Sequence, residues 1–123
     1  MDLEKQLKEL RSIKGYVASS ILSWTGDALA ADTVDATLDA PLLATMCNDV
    51  FNSAHECASR IDPGGECKET IVTTPTAVVI LRCSGKSSRA HFHIGCILSK
   101  DGNQALARMM LDKLMKNVTP FFA

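Results

Sequence analysis

The chain has almost no net charge, no closely spaced cysteine pair and no apolar run of membrane length. Thirteen basic side chains against fourteen acidic ones leave −1, which gives no general reason to expect nucleic acid or an anionic membrane as partner. The longest apolar run, Thr76 to Leu81, falls far short of the roughly eighteen residues that a membrane helix needs. The N-terminal Met1-Asp2-Leu3-Glu4-Lys5 is polar and has no secretory h-region, so a cytoplasmic location is expected. Five cysteines (Cys47, Cys57, Cys67, Cys83, Cys96) are an odd number without a CxxC pair; in a reducing compartment they are expected as free thiols, several of them small buried hydrophobes. The ten-residue spacing of the first three is not a metal-ligand spacing. Repeats, linkers and low-complexity segments are missing too, so residues 1–123 read as one domain, long enough to bury roughly two-thirds of its unfolded surface. Apolar content of 46% and charged content of 22% are ordinary for a soluble globular protein.

The charge that is present is unevenly placed. Residues 27–69 hold nine acidic side chains against two basic ones, and the remainder is correspondingly basic. The distribution reads as two solvated faces of opposite sign, or as a dipolar particle that docks a charged partner on one face.

Leu3, Leu7 and Leu10 fall at i, i+4, i+7, predicting a short amphipathic first helix. Gly15 breaks it. Tyr16 to Trp24, the turn Thr25-Gly26-Asp27 and Ala28 to Asp32 predict a β-hairpin. Asp39 is placed to cap a second helix that tolerates Pro41 in its first turn. There Leu43, Cys47, Val50, Phe51, Ala54, Cys57, Ala58 and Ile61 form the apolar row and Asp49, Ser53, Glu56 and Arg60 the polar one. Pro63-Gly64-Gly65 ends it. Glu66 to Thr74 and Thr76 to Cys83 are β-branched runs split at Pro75, which cannot lie inside a central ladder. Ser84 to Ser88 is a hairpin loop into a strand over Ala90 to Leu98. The turn Ser99 to Asn103 then leads into a helix over Gln104 to Asn117, with Leu106, Met110, Leu114 and Val118 in one row and Ala107, Leu111 and Met115 beside it. Phe121 and Phe122 are exposed unless they dock.

Candidate chemistry is sparse. His91 and His93 share one strand face and Cys96 points to the other. Two imidazoles alone make a poor structural zinc site, and although His55 or an acidic residue would complete it, no spacing indicates one; no metal and no cofactor are expected. Ser84-Gly85-Lys86-Ser87 imitates a phosphate loop without the first glycine and without a following helix. His55 and Cys57, two residues apart on a helix, diverge. An enzyme is the less favoured reading.

Three stretches carry a resemblance: Ile13 to Val17 with Trp24 to Ala30, Glu69 to Val72 with Ala77 to Ile80, and Ser99 to Leu111. In these, and in its order of elements from Leu3 to Val118, the chain resembles the Roadblock family, which includes a dynein light chain and small bacterial regulators of Ras-like GTPases. Pro75 departs from the glycine or charged residue usual at that corner, and the cysteines, His91 and His93 belong to no family signature. The resemblance implies an α+β, αββαβββα Roadblock/profilin-like sandwich: a five-stranded antiparallel sheet with the first and third helices on one face and the second on the other. It also implies a dimer, with itself or a paralogue, through Cys67 to Thr74, Thr76 to Leu81 and the helix from Leu42 to Arg60. The interface residues are then Cys47, Val50, Phe51, Ala54, Ile71, Val72 and Val79, and Asp49, Ser53, Glu56 and Arg60 face a partner.

The function implied is that of a non-enzymatic signalling adaptor for a small Ras-like GTPase, sometimes accelerating hydrolysis without a catalytic residue of its own. Arg60, Arg82, Arg89 and Arg108 are read as surface charges, not as arginine fingers. The alternatives are a structural dimerisation module without a GTPase and a small-molecule sensor, for which Met46, Cys47, Met109 and Met110 would line a pocket. A redox or metal regulator using Cys96 and the histidines is a third.

Overall fold

All three leucines of the first stripe end in the core. Their helix, α1, spans Leu3–Lys8 and tightens into a 3-10 turn over Glu9–Ser12. A computed structural model describes residues 2–85 and 90–122. The Asp2 side chain accepts the Lys5 amide and satisfies one of the open donors of α1's first turn.

Strands β1 (Tyr16–Ser23), β2 (Ala28–Thr33), β3 (Glu69–Thr73), β4 (Ala77–Cys83) and β5 (Phe92–Ser99) form one antiparallel sheet in the order β2-β1-β5-β4-β3. Helix α2 is Ala40–Ile61 and α3 is Gln104–Phe122. Leu3, Leu7 and Leu10 share a core with Leu111, Leu114 and Val118 of α3 over Ile21, Ile80, Ile94 and Cys96 of the sheet. The opposite face receives α2. The architecture is thus the α+β sandwich expected, with α1 and α3 on one side and α2 on the other.

Two glycines hold the corner where α1 ends and α3 begins. Gly15 has φ +85°, and a Cβ there would lie 2.6 Å from the Gly102 Cα and from the Ser99 Oγ. Only glycine accepts both that backbone and that approach. Across the contact the Asn103 amide donates to the Lys14 carbonyl and the Ser99 amide to the Gly15 carbonyl.

Two element boundaries and one buried face depart from the sequence expectation. Strand β3 begins at Glu69 rather than Glu66, because the Cys67 amide turns aside to donate to the His55 ring. Helix α3 runs past Asn117 and through Pro120, since Phe122 stacks on Phe92 with ring centroids 4.5 Å apart and draws the last turn onto the core; Phe121 stays half-exposed. On α2 the buried row is Ala40, Ala44, Asn48, Phe51 and His55, whereas Val50 and Ile61, expected in the apolar row, are exposed. Small residues decide this. Ala40 and Ala44 sit over Ala18, Ser20 and Gly95 of the sheet, so the helix approaches closely and its bulkier side chains are turned outward.

The β2 edge is guarded by an inward charge. The Asp32 carboxylate is buried, receives two hydrogen bonds from the Arg11 guanidinium and a third from the Tyr16 hydroxyl at 2.7 Å. The Arg11 hydrogen bond holds the Asp32 carboxyl below its ordinary range against the opposing effect of burial, and Tyr16 adds to it. A carboxyl depressed in the folded state stabilises the fold above its ordinary value of 3.8, and that contribution is lost as the pH falls through the folded value. Asp32→Asn should therefore lower Tm near pH 7, with the gap to the wild type narrowing as the pH falls toward about 3. Thermal melts across that range check this; a gap that stays constant would contradict it.

Candidate functional site

The α2 side of the sheet carries both features from which a function can be built. Helix α2 lies mainly over β1, β2 and β5, and it leaves the β4–β3 end of that face partly uncovered. Antiparallel register puts Thr70, Val72, Val79, Leu81, Cys83, His93 and Ile97 on this side. One stretch of it is apolar and the other is rich in imidazole and sulfur.

The apolar stretch brings together several residues expected at an interface. Val72 and Val79 are directly paired across β3 and β4, and Val79 shares a shallow cleft with Cys47, Leu43 and Ile97. Beside it α2 presents Leu42, Met46 and Val50 at four-residue spacing, 55%, 57% and 44% exposed. Ala54 is half-buried on the same helix. Two residues are placed differently. Phe51 is fully buried against the sheet, sandwiched between His55 and His93 at centroid distances of 4.9 and 4.5 Å. Ile71 pairs with Ile80 and points to the α3 side. Asp49, Ser53, Glu56 and Arg60 are all exposed, and Arg60 pairs with Glu56 one turn away.

The two sheet edges are not equivalent. Strand β2 has the inward Asp32 and an irregular register at Ile21/Leu22, features that discourage further pairing. Strand β3, Glu-Thr-Ile-Val-Thr, keeps an unbroken register with β4, and its one charged side chain, Glu69, lies at its start on the α3 side, paired with Arg82 and Arg108. Its outer main-chain groups are available to another strand.

At the other end, hairpin register sets Cys83 opposite His93, and His55 reaches them from α2. The ligating atoms of His55, Cys83, His91 and His93 all lie within 4.8 Å of one another. His93 is buried, and its Nδ1 is 2.7 Å from the Asn48 Oδ1. Asn48 Nδ2 donates to the Trp24 carbonyl, which fixes the amide with its oxygen toward His93. The proton of His93 therefore sits on Nδ1, and Nε2 keeps its lone pair. Among the described residues, that Nε2 is buried without a hydrogen-bond partner. Burial, with His91 and His55 nearby, pushes the His93 pKa down to about 4, so the ring is neutral at neutral pH. His55 accepts the Cys67 amide at Nδ1 over 3.1 Å, so its neutral ring carries the proton on Nε2. His91 stacks on Trp24 at 5.7 Å. Burial raises the Cys83 thiol above its ordinary value, with Glu66 and Cys67 adding to the effect and the Gly85 amide opposing it.

Sequence reasoning named His91 and His93 and the divergence of Cys96, which is buried on the other side with its thiol pushed up to about 12. It offered His55 as one residue that would complete the set, with no spacing to indicate it, and it missed Cys83 and Asn48. Two signals were available. The hairpin implied by the 84–88 loop sets Cys83 across from the histidines, and Ala44, Asn48, Phe51 and His55 recur at helical spacing.

Other candidates disperse. Met46 and Cys47 lie on α2 and Met109 and Met110 on α3, on opposite sides of the sheet, so they line no common pocket. The cleft between α2 and the sheet has a volume of only about 10 Å³. Arg82 bridges Glu69 and Asp112, and Arg108 reaches Glu69, so these arginines tie α3 to β3 and β4 rather than standing as free surface charges. Residues 86–89 of the phosphate-loop imitation, with Arg89, lie outside the described residues. Among the described residues no helix is long and apolar enough to cross a membrane.

No family model and no curated protein sequence matches the chain. Solved structures do match in fold. A Roadblock/LC7 domain from Streptomyces avermitilis superposes with a TM-score of 0.85 at 16% identity, covering 98% of each chain. Myxococcus xanthus MglB gives 0.83 at 12% identity, over 98% of this chain and 94% of its own. An MglB with a tetrameric arrangement gives 0.81 at 12% identity, over 96% and 85%. The chain has the Roadblock/LC7 fold.

Proposed function

We propose that this protein is a non-enzymatic dimeric adaptor that binds a small Ras-like GTPase and regulates it. The observation that carries the reading is the pairing of a regular β3 edge with an exposed apolar α2 stripe beside it. A second copy, or a paralogue, related by a two-fold axis would continue the sheet through β3 and lay its α2 beside this one, covering Leu42, Met46, Val50, Val72 and Val79 together. Cys47 and Ala54 would lie in the contact, with Phe51 supporting it from beneath. The solved MglB described as tetrameric is consistent with self-association of this fold.

The GTPase part of the reading rests on the Roadblock resemblance and the fold it predicted. The exposed Asp49, Ser53, Glu56 and Arg60 offer a polar row of mixed charge next to the apolar stripe, suited to orienting a partner by charge. Regulation would act through the partner's own catalytic groups, by holding its switch segments in one arrangement.

Two measurements separate the parts of this reading. Val72→Glu and Val79→Lys should each convert the dimer to monomer by light scattering, weakening association by ~2 kcal/mol or more, about thirtyfold, as for a central contact residue. Unchanged mass in both variants would remove the strand interface. Capture from native lysate on the tagged protein, with GDP and with a non-hydrolysable GTP analogue, should retain a small GTPase mainly with the analogue. A folded dimer that retains none in either arm would leave a structural dimerisation module.

A further inference from the structure

The imidazole–thiol cluster is not explained by dimerisation or by GTPase binding. Aromatic packing accounts for part of it, since His55 and His93 flank Phe51 and His91 lies on Trp24. Packing does not account for the aim of His93. Its tautomer is set by a relay from the Trp24 carbonyl through Asn48, so a buried lone pair at Nε2 is presented to the space shared with His55, Cys83 and His91. A buried nitrogen acceptor without a donor costs roughly 1–3 kcal/mol, and a carbonyl-type oxygen behind the opposite ring nitrogen is the usual support of a metal-binding histidine.

We propose that His55, Cys83, His91 and His93 enclose a binding site for a thiophilic divalent cation of the zinc class, with Cys83, His91 and His93 as protein ligands and His55 on the fourth side. One sulfur and two imidazole nitrogens are a soft, borderline donor set that suits zinc and excludes calcium and magnesium. Tetrahedral coordination at roughly 2.0–2.3 Å places donors roughly 3.3–3.6 Å apart, so donors already within 4.8 Å of one another need only a small contraction. Binding exchanges the Cys83 thiol proton for the metal–sulfur bond and releases that proton to solvent. His55 is less suited to be a ligand, because its Nδ1 is engaged by the Cys67 amide and its Nε2 holds the ring proton. It is placed to donate that proton in a hydrogen bond to whatever fills the fourth position. The ligands lie on β4 and at the start of β5, and α2 meets the site through His55 and through Asn48 behind His93, next to the segment entering β3. The metal proposal does not depend on the GTPase reading.

The test uses the full chain, reduced and freed of metal by chelator dialysis. Titration with cobalt(II) should saturate at one per chain, giving the visible bands of tetrahedral cobalt and a near-ultraviolet thiolate-to-cobalt band, both lost on adding zinc. Cys83→Ser should abolish the thiolate band, His91→Gln should weaken binding at least tenfold, and Cys57→Ser and Cys67→Ser should leave both bands in place. Zinc should raise Tm in the wild type and not in Cys83→Ser. Circular dichroism of each apo variant confirms that it folds. Failure to saturate, or a thiolate band that survives Cys83→Ser, would overturn the proposal, and the cluster would then be aromatic packing alone.

Discussion

The α2 side of this molecule depends on how closely a 22-residue helix can lie on a five-stranded sheet. Small side chains at Ala40 and Ala44 meet Ala18, Ser20 and Gly95, so contact is close over β1 and β5 and the helix cannot also reach across β4 and β3. Leu42, Met46 and Val50 are consequently turned to solvent. On the other face no such shortage exists, because α1 and α3 together cover the sheet and bury a continuous aliphatic core. The asymmetry converts a packing constraint into an interaction surface: what α2 leaves bare, another chain can cover.

The same helix reads differently along its length. In its first half the side chains facing the sheet are methyl-sized and those facing out are large and apolar. From Asn48 onward the buried row becomes Asn48, Phe51 and His55, and its two polar members need partners. They find them in the Trp24 carbonyl, the His93 ring and the Cys67 amide. The hydrogen bonds that satisfy these groups also orient them, and orientation turns a buried histidine into a directed acceptor. One helix therefore carries an apolar surface at one end and a polarised pocket at the other.

Much of the fold was legible because its signals are local. The leucine spacing of α1, the Asp39 cap, the stop at Pro63-Gly64-Gly65 and the turns at Gly26, Pro75 and Gly102 all state their role within a few residues. The edge position of β3 followed from the resemblance and from its uncovered β-branched run. The cluster was illegible for the opposite reason. His55, Cys83 and His93 come from a helix and two strands, and their meeting depends on register across β4 and β5 and on the rotation of α2 about its axis. That rotation is set by which small residues fit against Gly95, a tertiary choice that the apolar count along the helix misreports by promoting Val50 and Ile61. Phe51 shows the same limit: the resemblance implied it at the interface, and close packing drew it under the helix between two imidazoles.

If the bare β3–α2 surface is where a second copy binds, its main chain should respond to concentration. Hydrogen–deuterium exchange followed from dilute to concentrated protein would report this residue by residue. The expected result is protection rising with concentration at Glu69–Thr73 and along the outer side of α2, while the β2 edge and α3 stay constant. Exchange at β3 that is independent of concentration, in protein that scattering shows to be a dimer, would place the contact elsewhere and contradict the interface.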